Sequence, residues 1–110
     1  MANSAARLRK PAEFQAVFDA GRRYPVKHFN AIVATNTLGG PRLGFALSKK
    51  IAARAVDRNR IKRQVRESFR HNRARLPALD IVMLGRGGCA KATNADLRLS
   101  AQELWKKITA

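Results

Sequence analysis

The sequence predicts an α+β fold, a two-layer sandwich in which a small sheet packs against helices in the order α-β-β-α-β-α. Three observations carry that expectation. Residues 42–48 alternate and residues 79–84 are apolar nearly throughout, which are strand patterns, whereas residues 54–75 space their apolar side chains three and four apart. Gly, Pro and capping residues fall between these segments. The chain has 110 residues, 45% of them hydrophobic, enough for a single packed domain over residues 1–110 and too apolar for a disordered basic tail.

Taken in order, Pro11 suits the first turn of a helix and Gly21 its end, with Phe14, Val17 and Phe18 forming a ridge at i, i+3, i+4. A strand follows at residues 27–35, carrying Phe29, Ile32 and Val33. Leu38-Gly39-Gly40-Pro41 turns the chain into the next strand, residues 42–48. There Leu43, Phe45 and Leu47 line one face and Gly44, Ala46 and Ser48 the other, a small face that can admit a helix closely. A basic helix at residues 54–75 links that strand to a third at 79–84, so the two strands are candidates for a parallel pair. Residues 85–91 form a loop. Thr93 with Asp96 three residues on resembles a capping box opening a last helix, whose stripe is Leu97, Leu104, Trp105 and Ile108.

The basic helix holds the functional signal. Residues 58–67 contain five cations and an Asn, yet Ile61, Val65 and Phe69 still fall along one side, with Leu76 in line below. Asn59, Lys62, Arg63, Arg66, Arg70 and Arg73 gather around the other. Solvated helix faces ordinarily mix charge signs. Residues 49–75 instead hold eleven Lys or Arg against Asp57 and Glu67 alone, +9 of the chain's +16. Arg58 and Arg60 also lie near the helix start, where the macrodipole disfavours cations by a few tenths of a kcal/mol or more. A local rule broken without a folding gain points to function. Planar guanidinium groups match phosphate oxygens and stack on bases, so the face suits a polyanion, RNA above all.

The remaining composition narrows the choices. A pI near 11.7 again asks for a polyanionic partner. Cys89 is the one cysteine, which excludes an internal disulfide and a multi-cysteine zinc site. His28 and His71 stand apart without companion ligands and read as surface or RNA-contacting residues rather than a metal site, so no metal is expected on the chain. Seven carboxylates scattered among 23 cations suggest no catalytic acidic pair. No apolar run approaches the roughly 18 residues of a membrane helix, and residues 1–6 are too short for a signal-peptide core, so a cytoplasmic location is expected.

In Arg7-Leu8-Arg9-Lys10, Glu13-Phe14-Gln15, Val17-Phe18, Arg42-Leu43-Gly44-Phe45, Ser48-Lys49-Lys50, Arg54-Ala55-Val56, Arg58-Asn59-Arg60 with Lys62-Arg63, and Asp80-Ile81-Val82, the chain resembles the bacterial ribonuclease P protein subunit over nearly its full length. The Arg-Asn-Arg triplet alone would be weak. With Lys-Arg after it and Ser-Lys-Lys before it at this spacing, it is highly specific.

The resemblance implies a protein that joins a catalytic RNA, one protein per RNA, and assists removal of the 5′ leader from precursor tRNA. Mg²⁺ is then held by the RNA, and the protein supplies no catalytic side chain. It also implies a mixed sheet of the ribosomal protein S5 domain 2-like kind, with a left-handed βαβ crossover where ordinary handedness rules expect a right-handed one. Arg58, Asn59, Arg60, Lys62, Arg63, Arg66 and Arg70 would face the catalytic RNA. A cleft between the first helix and the sheet would hold the leader, lined by Phe14, Phe18 and Ile32 with Lys27, Lys49 and Lys50 at its rim. Ile32 stands where many members carry an aromatic, so one stacking platform is absent and leader preference does not carry over. For Phe14 and Phe18 a plain core contact is equally open. The alternative function is a ribosomal or general RNA-binding protein without a processing role; a DNA-binding helix is weaker for want of helix-turn-helix spacing, and a stand-alone nuclease weakest.

Overall fold

A computed structural model describes residues 7–110; the stretch 1–6, considered above as a signal core, lies outside the described residues. The elements run α1 (Pro11–Ala20), β1 (Arg22–Pro25), β2 (Phe29–Thr35), β3 (Arg42–Phe45), α2 (Ala55–Asn72), β4 (Leu79–Gly85) and α3 (Asn94–Thr109). The α+β class and the placing of the three helices follow the sequence expectation. The sheet gains a strand, for Arg22–Pro25 pairs antiparallel with β2 from Arg22↔Val33 to Pro25↔Asn30. Its sequence, RRYP, has no apolar alternation because it is an edge strand open to solvent.

The sheet order is β1-β2-β4-β3, with β2 and β4 antiparallel and β3 and β4 parallel, so the sheet is mixed. The sense of the β3-α2-β4 crossover follows from chirality. Seen from the α2 side with both strands running upward, an L-residue facing the viewer directs its carbonyl to the right. Met83 faces α2, and its carbonyl accepts from the Ala46 N–H just after β3 at 2.9 Å. The chain therefore leaves β3 on the right and returns on the left, which is the left-handed crossover.

Two cores divide the sheet. On one face Phe29, Ala31, Val33, Leu43, Ile81 and Met83 meet Ile61, Val65 and Phe69 of α2 and Leu97, Ala101, Leu104 and Trp105 of α3. The Phe69 and Trp105 rings meet at a tilt of 58° with centroids 5.9 Å apart, and the Trp105 indole donates to buried Ser68 Oγ at 2.9 Å. These form the two main layers. The helix α1 lies across the opposite face, where Val17 and Leu8 bury against Val82 beside Ile32, Ala34, Ala46 and Leu84.

Two glycines set how closely α1 approaches. A Cβ on Gly44 would stand 2.8 Å from both Leu8 Cβ and Phe14 Cζ, and one on Gly21 2.6 Å from Ile32 Cγ2. The small face of β3 is therefore the seat of Phe14. Glu13 fixes the start of α1 by accepting from the Lys10 and Arg9 N–H groups, both at 2.9 Å, and by pairing with Arg42 at 2.7 Å. Arg42 also grips Asp80 through Nε and Nη2, each at 2.8 Å, so one guanidinium ties α1, β3 and β4 together. Thr93 caps α3 by accepting from the Asp96 N–H at 3.1 Å.

Candidate nucleic-acid interface

At 100° per residue the charged side chains of α2 fall into three groups around the buried stripe of Ile61, Val65 and Phe69. Asn59, Arg63 and Arg70 point outward and are exposed. Arg63 and Asn59 have no hydrogen-bond partner among the described residues, whereas Arg70 pairs with Glu67 one turn before it. Lys62 and Arg66 lie on the flank toward β3, where the Arg66 guanidinium sits over the Phe45 ring, 5.3 Å from its centroid. Burial, and then the charge of Arg7, push Arg66 below the usual arginine range.

The two arginines of the triplet are committed inside the fold. Arg60 falls on the α3 flank. Its Nη1 donates to the Ala92 carbonyl at 3.0 Å and to Asn94 Oδ1 at 2.9 Å, and its Nη2 donates to the Ala90 carbonyl at 2.9 Å. Arg58 Nη1 turns back onto the Ala52 and Ala53 carbonyls at 2.8 and 2.9 Å, fastening the loop that enters α2. The sequence groups both with the RNA-facing set; tertiary contacts give each a fold-holding role that a helical wheel does not display.

The expected cleft residues do not converge on one cavity. Phe14 is half-buried against Gly44 and lines a groove of about 320 Å³ with Leu8, Arg9, Phe45, Lys62 and Arg66. One member of the expected leader set thus shares a groove with two of the catalytic-RNA set. Phe18 is 39% exposed on α1. Ile32 is half-buried against the Val17 core, beneath the end of α1. Exposed Lys27, Lys49 and Lys50 collect at one end of the sheet: Lys27 precedes His28, whose carbonyl accepts from the Arg86 N–H at 3.0 Å, and Ile51 after the lysines packs on Gly85. Arg7 and Arg9 border the groove as well; the sequence pattern gives them no site role because only the parallel bridge of Arg7 with Leu43, closed by the Leu8 N–H, brings that segment to the edge of β3.

Four of the seven carboxylates are held by arginine side chains. Glu13 and Asp80 are engaged by Arg42, Asp57 by Arg54 and Glu67 by Arg70. Among the described residues no three His, Cys, Asp or Glu side chains converge, and no helix is long and apolar enough to cross a membrane. Of the histidines, His71 is exposed, but the His28 ring nitrogens are enclosed without a partner among the described residues, which corrects the surface reading of that ring. Cys89 is buried, and burial pushes its thiol up, away from reactivity.

A mixed sheet with a left-handed crossover and an outward cationic helix face defines the class as an RNA-binding protein. The comparisons give its family. The ribonuclease P family model matches residues 2–109. The ribonuclease P protein component of Legionella pneumophila (strain Lens) is 47% identical over 105 residues, covering 96% of this chain and 90% of that one. That of Idiomarina loihiensis is 46% identical over 106 residues, 93% and 82% of the two chains. Among solved structures, the Staphylococcus aureus RNase P protein superposes with a TM-score of 0.88 at 30% identity, over 96% and 98% of the chains, and the Thermotoga maritima protein with 0.83 at 29%, over 94% and 98%. The chain belongs to the ribonuclease P protein family.

Proposed function

We propose that this chain, as the protein subunit of ribonuclease P and partner of the ribonuclease P RNA, works through two surfaces that meet along the flank of α2. Asn59, Arg63 and Arg70, with Lys62 and Arg66 beside them, take phosphates of the catalytic RNA. Phe14 and Phe18 on α1, with Lys27, Lys49 and Lys50 at the sheet end, take the single-stranded 5′ leader of precursor tRNA through base stacking and backbone attraction. The carrying observation is the outward face of α2, whose Arg63 guanidinium has no acceptor within the described fold. Cleavage and its Mg²⁺ belong to the RNA in this reading, supported by the engagement of four of the seven carboxylates by arginines. The protein neutralises phosphates, so that the folded RNA and its Mg²⁺ assemble with less screening salt, and it extends substrate contact into the leader. The cytoplasm, where precursor tRNA is processed, is the proposed location.

The test is cleavage of precursor tRNA at low Mg²⁺ by the protein, the RNA subunit, and both together. The expected outcome is no cutting by protein alone and cutting restored by the pair. Robust cleavage by nuclease-free protein without RNA would overturn the subunit mechanism.

A further inference from the structure

The segment Arg7–Lys10 carries chemistry that the two proposed surfaces do not use. Leu8 anchors it to the free edge of β3, its N–H donating to the Leu43 carbonyl at 3.0 Å while its side chain is buried. Arg7 is thereby held facing α2. Between them lies a cavity of about 140 Å³ with an apolar floor, Leu43 and Phe69, and walls of Arg7, Arg66, Arg70 and Arg73. Four guanidinium groups face a single carboxylate there, that of Glu67, already paired with Arg70. Arg7 and Arg73 have no side-chain hydrogen bond or ion pair among the described residues, and residues 1–6 contain no Asp or Glu that could reach in.

Such an arrangement is costly for the free protein. Like charges crowd over apolar surface, and burial first, then the neighbouring charge of Arg7, pushes the Arg66 guanidinium below its ordinary range. An anion in the cavity would relieve the repulsion. The apolar floor asks for more than a bare anion: Leu43 and Phe69 beside four guanidinium groups combine apolar contact with planar cations, the chemistry that seats an unpaired base. At about 140 Å³ the space is the size of one base, which leaves the sugar and phosphate at its mouth among the guanidinium groups and excludes a duplex. It also opens into two larger clefts through shared residues, toward Lys62 and Phe14 on one side and toward Arg9, Lys10 and the Leu38–Pro41 turn on the other.

We infer that this cavity is a nucleotide seat, in which one unpaired ribonucleotide places its base over Leu43 and Phe69 and its phosphate between Arg7 and Arg66, with Arg73 closing the far side. The seat rests on the RNA-binding reading above. Its continuity with the Lys62 and Arg66 flank makes the catalytic RNA the preferred source, and the leader the other source of the same chemistry.

The experiment compares Arg7→Ala, Arg7→Lys and Arg73→Ala with Arg63→Ala in binding to the ribonuclease P RNA over a salt series. Binding of the reconstituted holoenzyme to leader-bearing precursor and to mature tRNA is measured alongside, with thermal melts on every variant. The Arg7 side chain is exposed, so folding should survive its loss. Arg7→Ala and Arg73→Ala should each weaken RNA binding by roughly tenfold and flatten the log K against log[salt] slope by about 0.7–0.9. Arg7→Lys should recover the slope without recovering the affinity, because lysine keeps the charge and loses the planar stack. Losses against the ribonuclease P RNA assign the nucleotide to it, and losses confined to precursor tRNA assign it to the leader; either pattern supports the seat. Normal binding by folded Arg7→Ala and Arg73→Ala variants beside a weakened Arg63→Ala would overturn the seat and leave the two-surface function standing. Full recovery by Arg7→Lys would overturn it too, since charge alone would then suffice. A normal Arg63→Ala would count against the two-surface function itself.

Discussion

Arg60 and Arg63 lie three residues apart on one basic helix, and the structure gives them opposite work. Arg60 spends three donor contacts of 2.9–3.0 Å on Ala90, Ala92 and Asn94, pinning α2 to the loop that starts α3. Replacing it with Ala leaves two half-buried carbonyls without that donor. Hydrogen bonds involving a charged group contribute about 1.5–3 kcal/mol each, but water can re-solvate the exposed Asn94 and part of the loop, so a total near 2.5 kcal/mol is expected. For a chain of this length about 4 °C of melting temperature corresponds to each kcal/mol, giving a drop of about 10 °C. Arg63→Ala should melt within about 2 °C of the parent, as an exposed substitution does. In RNA binding the order reverses. Arg63→Ala should flatten the salt slope by nearly one unit, whereas Arg60→Ala, measured below its melting range, should keep the slope. Thermal melts by circular dichroism with filter binding over a salt series would measure both. Parental melting in Arg60→Ala, together with a slope flattened like that of Arg63→Ala, would refute the assignment and return Arg60 to the RNA.

On α1, Phe18→Ala should weaken holoenzyme binding of leader-bearing precursor by about 1–3 kcal/mol while mature tRNA binds as before; equal loss of both ligands would remove Phe18 from the leader surface. Phe14→Ala is the less clean probe, because its ring packs on Gly44 and its removal should cost stability as well. Gly44→Ala would drive a methyl to 2.8 Å from Leu8 and Phe14, so the denaturation midpoint should fall by the equivalent of about 1–3 kcal/mol, and an unchanged midpoint would mean α1 is not held there. The Lys10 and Arg9 amides, with Arg42, hold the Glu13 carboxyl at about 2, below its ordinary value of 4.5. A depressed folded-state value means that this contribution is fully present above pH 4.5 and is lost as the pH falls through about 2. The melting temperature of Glu13→Gln should therefore lie below that of the parent at neutral pH and converge on it between pH 4.5 and 2; a constant gap across that window would contradict the carboxylate's role.

Much of the fold is legible in the sequence. The stripe of Ile61, Val65 and Phe69, the cap at Thr93, the apolar run of β4 and the small face of β3 are local patterns, and local periodicity reports which side of an element is buried. The motif spacing also carries the family, because residues that match over nearly the whole chain leave few alternatives. The edge strand β1 is not legible: Arg22-Arg23-Tyr24-Pro25 turns only the half-buried Tyr24 toward the core, too little for an alternating pattern, and its pairing with β2 defines it.

Sequence by itself determined the α+β class, the order of helices, the cationic helix and hence the polyanionic partner, all of which depend on residue types and on spacings within about twenty residues. Tertiary structure alone decided which cations are available to that partner. A helical wheel shows Arg58, Arg60 and Arg63 as members of one charged surface, but cannot show that Ala90, Ala92 and Asn94 arrive from thirty or more residues away to claim the guanidinium of Arg60. Nor can it show Arg7 set against Arg66, a proximity made by pairing the Leu8 backbone with the edge of β3. Charge is a property of the residue; whether that charge is free depends on acceptors placed by the fold, and those lie at distances along the chain that no local pattern encodes.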